Sequence, residues 1–143
     1  MTPEQVFSIA NSVAMAGWLI LILGLRTRWA ATLVSGAIVP LLLAILYAVL
    51  AAAHWGETNG GFGSLAAVAA LFSNSWLLLA GWVHFLAFDL FIGSWQVRDA
   101  RAHGIPIWTA VPCLVLTFLF GPAGLLTYFG VRFVRMRTVK VVA

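Results

Sequence analysis

The chain has 143 residues, of which 63% are hydrophobic and only 8% charged, with a net charge of +4 and a mean hydropathy of +1.04. A water-soluble domain carries about 25% charged residues, so this chain cannot coat a surface that faces water. The basic excess does not mark a nucleic-acid partner either. The basic residues sit in short clusters beside apolar runs, as charges at membrane edges do, with no nucleic-acid motif among them.

Taken in order, the start Met1-Thr-Pro-Glu-Gln5 lacks the positive region of a signal peptide, and no small-residue cleavage site follows the first apolar run. That run is therefore expected to stay as a span. A crossing helix needs about 20 mostly apolar residues, and four stretches qualify, at about 7–25, 32–53, 76–95 and 108–129. The first stops at Arg26-Thr-Arg28-Trp29. The second contains Pro40, where a missing amide predicts a kink. A glycine-rich loop from His54 to Ser64 follows. Residues 65–72 then form an apolar helix too short to cross, expected to be interfacial or re-entrant.

The third span is followed by Arg98 and Arg101. The fourth ends in Arg132, Arg135, Arg137 and Lys140. Inside it, Phe120-Gly-Pro-Ala-Gly124 should break or kink the helix, and the freed backbone groups need protein partners at that depth. Trp29, Trp55, Trp76, Trp95 and Trp108 fall near the expected helix ends, where indole prefers to sit; Trp18 and Trp82 lie deeper. The expected fold is an all-α integral membrane protein. It is a bundle of about four transmembrane helices plus the short helix, with residues 1–143 as one domain and no internal repeat.

Four spans put Arg26, Arg28, Arg98 and Arg101 opposite the four basic residues of the tail. The positive-inside count then ties, and only the first helix weakly favours an outside N-terminus. A fourth segment re-entrant at Gly121-Pro122 would instead place both sets on one side. Four crossings are the expectation here.

An ionisable side chain at mid-membrane costs at least about 2.5–3.5 kcal/mol and needs a partner, a cavity or a task. The third span holds two such groups, His84 and Asp89. Five residues turn a helix by about 140°, so the two do not stack but can border one cavity. His84, Phe88, Phe91 and Trp95 share one stripe; Asp89, Gly93 and Gln96 share another, with Gly93 able to admit a neighbouring backbone. Hydrocarbon disfavours a bare charge, so a carboxyl there can keep its proton and act as a general acid. The plain alternative for both is a structural role. Ser8, Asn11 and Ser12 share one face of the first helix. They can join helices, satisfy Asp89 or meet a substrate hydroxyl.

Around Asp99, the neighbours Arg98, Arg101 and His103 read equally well as a solvated helix end. The lone Cys113 excludes an intrachain disulfide and a multi-cysteine metal site. No phosphate loop, dinucleotide fingerprint, nucleophile elbow or zinc motif appears. A metal or haem site through His84 has no diagnostic spacing.

Several motifs together resemble the abscisic-acid-deficient-four-like family. They are Gly60-Gly-Phe-Gly-Ser-Leu65, the run Gly81-Trp-Val-His-Phe-Leu-Ala-Phe-Asp-Leu-Phe91, Asp99-Ala with Gly104-Ile, and Val111 to Leu126 with its Phe-Gly-Pro-Ala-Gly core. The resemblance covers most of the chain. It implies a small four-helix membrane protein linked in plants to converting violaxanthin to neoxanthin. That redox-neutral isomerisation opens an epoxide, removes a proton from the adjacent chain carbon, and needs an acid and a base but no cofactor. On this chain the implied catalytic pair is His84 and Asp89. Asn11, Trp82, Phe88, Trp95, Arg98 and Asp99 are the candidates for holding substrate, the last two at a terminal ring hydroxyl.

The chain lacks an Arg/Ser-rich transit segment, so a bacterial cytoplasmic membrane and a carotenoid or other isoprenoid lipid are expected. The pocket should lie between the first, third and fourth spans. The other readings are a non-catalytic carotenoid- or lipid-binding or assembly subunit, and a haem- or metal-binding membrane protein. Membrane lipids and an apolar carotenoid-like ligand are the expected partners, nucleic acid is not, and self-association into a homo-oligomer is left open.

Overall fold

Thr2 and Gln5 start the first helix. The Thr2 hydroxyl accepts from the Gln5 amide and Gln5 Oε1 accepts from the Thr2 amide. Pro3 follows at a position where its missing N–H costs nothing. In the computed structural model, which describes residues 1–25 and 27–136, this helix is α1, Pro3–Leu23. Its far end is capped from a distance. The Arg101 guanidinium donates to the Thr27 carbonyl at 2.9 Å, to Gly24 at 3.3 Å and to Leu25, satisfying carbonyls of the turn that follows the helix.

The second span opens as a π-helical segment, Ala30–Ile38, and continues as α2, Val39–His54. The break expected at Pro40 takes this form. The turns before the proline widen, which accommodates its missing amide and its ring. After the loop comes α3, Leu65–Phe72, capped by the Ser64 hydroxyl accepting from the Ala67 amide at 3.1 Å. Asn74 then caps α4, Ser75–Ala102, through the amides of Trp76 and Leu77. Pro3–Leu23, Ala30–Glu57 and Ser75–Ala102 are long and apolar enough to cross a membrane.

Helix α4 is the centre of the fold. Small residues let its neighbours approach: a Cβ on Gly17 would lie 2.6 Å from Leu90, and one on Gly93 would lie 2.5 Å from the Trp18 ring. Gly93 thus admits a side chain, where a backbone was expected, and that seam is why Trp18 lies deep, 3% exposed. Phe7 packs on Trp82, so α1 runs parallel to α4. Tyr47 meets His84 and His54 stacks on Trp76, so α2 runs antiparallel.

The expected fourth span folds as a helical hairpin. Helix α5, Ile107–Phe120, ends at Gly121, and α6, Pro122–Met136, begins at once. Gly121 has φ +27°, a backbone shape that glycine tolerates and L side chains rarely adopt. The chain reverses there instead of bending. Gly124 lies against Thr117 with no room for a Cβ, and Tyr128 shares a buried cluster with Cys113 and Ala110. Contacts that widen from the turn in this way define antiparallel helices. At 1.5 Å per residue, each arm reaches about 21 Å, short of the roughly 30 Å hydrocarbon core. The hairpin enters from the Ala102 end of α4 and returns to it.

This reversal removes the tie in charge. Arg28, Arg98, Arg101, Arg132 and Arg135 all lie at the end of the bundle where the hairpin is rooted. Arg26, Arg137 and Lys140, counted with them in the sequence, lie outside the described residues.

Candidate functional site

The face of α4 turned to the hairpin carries Asp89, Gln96, Asp99 and, one turn further, His103. Near the root, Asp99, His103, Tyr128 and Arg132 satisfy one another. Asp99 Oδ2 accepts from the Tyr128 hydroxyl and from Arg132 Nε, each at 2.8 Å. His103 lies 3.3 Å from the other carboxylate oxygen and 3.3 Å from the Arg132 guanidinium. Arg132 and Tyr128 are fully enclosed. A charge so deeply buried is tolerated only when paired and hydrogen-bonded, and Asp99 supplies both.

One step deeper, Gln96 Nε2 donates to Thr117 Oγ1 at 2.9 Å and to the Gly124 carbonyl at 3.3 Å. The Thr117 hydroxyl in turn donates to the Cys113 carbonyl at 2.8 Å. Backbone near the turn thus receives the protein partners that its depth requires.

Asp89 lies seven residues before Gln96, about two turns nearer the bilayer centre. It stands at the hairpin tip. A Cβ on Gly121 would meet Asp89 Oδ1 at 2.5 Å, so glycine at the turn is also what lets the carboxyl sit there. Asp89 is 8% exposed, and its Oδ2 is buried with no hydrogen-bond partner among the described residues. The C-terminal end of α5 and the N-terminal end of α6 meet at this point, so their opposite end charges largely offset. Such a carboxyl can give a proton to a ligand, take one from it, or bind a hydroxyl.

The other candidate residues are dispersed. His84 is exposed on a different face of α4, 4.6 Å from the Phe88 ring and 5.7 Å from Tyr47 between ring centres. It lines a cleft under α3. The single cavity expected to join His84 and Asp89 is not formed, because the 140° between them points one toward α2 and the other toward the hairpin. Asn11 does not reach Asp89. Its side-chain oxygen accepts from the Trp82 indole at 3.2 Å and its amide donates to the Phe7 carbonyl at 2.7 Å, which accounts for the deep Trp82. Phe88 borders an apolar groove between α4 and the second span, with Pro40 and Phe91.

Trp95 packs edge-on against Tyr128 and beside Phe129, as part of the hairpin seat. Asp99 is occupied by Arg132, and Arg98 Nε is buried without a partner, so these two do not form one hydroxyl-binding pair. Among the described residues no group of three His, Cys, Asp or Glu could hold a metal. Arg132, Tyr128 and Thr117 were not singled out from the sequence. Arg132 in particular reads there as a tail charge, and only the reversal at Gly121 brings it to Asp99.

Over the described residues, fold and site together define an all-helical protein with three apolar helices of membrane length, a shorter helical hairpin, and an unpartnered carboxyl at the hairpin tip. The chain belongs to the ABA DEFICIENT 4-like family, whose sequence model matches residues 5–128. No curated protein and no solved structure matches it.

Proposed function

We propose that the protein acts, from within a bacterial cytoplasmic membrane, on a carotenoid or related isoprenoid lipid as an isomerase that opens an epoxide. The observation that carries this reading is the buried Asp89 carboxyl, whose Oδ2 has no protein partner. A neutral Asp89 gives its proton to the epoxide oxygen as the C–O bond breaks, leaving an alcohol. The adjacent chain carbon then loses its proton to the Asp89 carboxylate, and the electron pair of that C–H bond forms the new double bond. The proton count closes on one group, and no electrons are gained or lost. His84, on another face of α4, has no part in this scheme. Family membership supports the substrate class, and the position of Asp89 at mid-span suits a substrate that stays in the bilayer.

Expression in cells that accumulate an epoxy-carotenoid, followed by pigment chromatography, tests it. The wild type should convert the epoxide to an isomer of equal mass, and Asp89→Asn should fold without converting it. An unchanged profile with folded wild-type protein removes the reaction. Stoichiometric pigment bound without turnover supports the binding-subunit reading instead.

A further inference from the structure

On another face of α4 from Asp89, toward its Ser75 end, a cleft of about 270 Å³ lies between α2, α4 and the short helix α3. Tyr47, Phe62, Phe72 and His84 give it aromatic walls, and small and aliphatic residues, Gly81 and Leu71 among them, make up the rest of the lining. His84 is nine residues into α4 and Tyr47 seven from the end of α2. At 1.5 Å per residue both lie about 10–14 Å below the helix ends, within hydrocarbon. Their rings are 5.7 Å apart. Neither the imidazole nor the phenol hydroxyl has a hydrogen-bond partner among the described residues.

Polar groups left unpaired in hydrocarbon are costly. Two of them beside each other, in a cleft otherwise apolar, mark a place where a ligand supplies the missing partner. We infer that this cleft binds one end of a lipid alcohol whose hydroxyl is carried on a flat ring. The imidazole and the phenol would exchange hydrogen bonds with that hydroxyl, while the aromatic walls pack on the ring faces. The volume admits one or two rings and leaves the rest of the lipid in the bilayer. A charged headgroup is disfavoured, because no Lys, Arg, Asp or Glu lines the cleft.

The fluorescent sterol dehydroergosterol provides the probe, since Trp76 stacks on His54 at this end and Trp55 packs on Phe62. Protein in detergent micelles is titrated with it, and energy transfer from tryptophan is read. Cholestanol should displace the probe about tenfold better than cholestane, which lacks only the hydroxyl, as two neutral hydrogen bonds predict. Tyr47→Phe keeps the ring shape, and His84→Phe keeps an aromatic wall without its polar atoms. Each should narrow that ratio several-fold while binding of cholestane and the melting temperature stay close to wild type.

Absence of saturable energy transfer, equal competition by cholestanol and cholestane, or an unchanged ratio in both variants overturns the inference. Dodecanol competing as well as cholestanol overturns its flat-ring element. Asp89→Asn should leave the ratio unaltered, so failure of the proposed reaction and failure of this site are read separately.

Discussion

Replacing Gly121 by alanine tests the hairpin tip most directly, because two independent costs meet in one methyl group. The first is backbone strain. Gly121 sits at φ +27°, and holding a side-chain-bearing residue in a sparsely populated conformation costs about 1–3 kcal/mol. The second is a clash, since the new Cβ would lie 2.5 Å from Asp89 Oδ1 and 3.2 Å from its Oδ2. Relieving such overpacking typically costs another 1–3 kcal/mol. Gly121→Ala should therefore destabilise the protein by about 2–6 kcal/mol, read from unfolding in detergent by denaturant or heat. In an Asp89→Ala background the clash is gone and only the strain remains. The double-mutant cycle should then give a coupling of about 1–3 kcal/mol between positions 121 and 89. Additive effects, with coupling below about 0.5 kcal/mol, would refute the placement of Asp89 against the turn and the functional site built on it.

Arg132→Met should destabilise by about 3–5 kcal/mol, because it leaves the buried Asp99 carboxylate without its cation. Asp99→Leu combined with Arg132→Met should recover most of that loss in the same unfolding assay, and a fully additive double variant would argue against the pair. Reporters fused to the two chain ends should report opposite sides of the membrane, with the C-terminal end on the cytoplasmic side, since three crossings and a returning hairpin separate the termini. Both ends on one side would restore the fourth crossing.

Helix existence was legible because hydrophobic runs of membrane length carry a strong signal. The short helix Leu65–Phe72 was readable for a related reason, its apolar run being too short to cross. Polar–apolar patterning could not tell a kinked span from a hairpin at Gly121, since 108–129 has the same length and hydropathy in either form. The choice rests on one backbone angle and on Gly124 meeting Thr117, neither of which leaves a compositional trace. The same blindness hid the Asp99–Arg132 pair, whose members are 33 residues apart and meet only through the reversal. Asp89 was visible as an anomaly in an apolar run. Its separation from His84 followed from the 140° rotation, but which neighbour each faced depended on packing.

The contrast along one face of α4 carries the functional argument further than any single residue. Gln96 and Asp99 hold the hairpin through bonds to Thr117, Gly124, Tyr128 and Arg132, so the root is fixed by paired groups. The same face then presents Asp89 at the tip with Oδ2 bonded to none of the described residues, although Gly121 lies in direct contact. A structural carboxyl at that depth should bind to the backbone amides or side chains around it, as its neighbours do. A rigidly seated hairpin that stops beside an unsatisfied carboxyl instead gives a fixed scaffold around a reactive group, the arrangement that places a proton donor without further reorganisation.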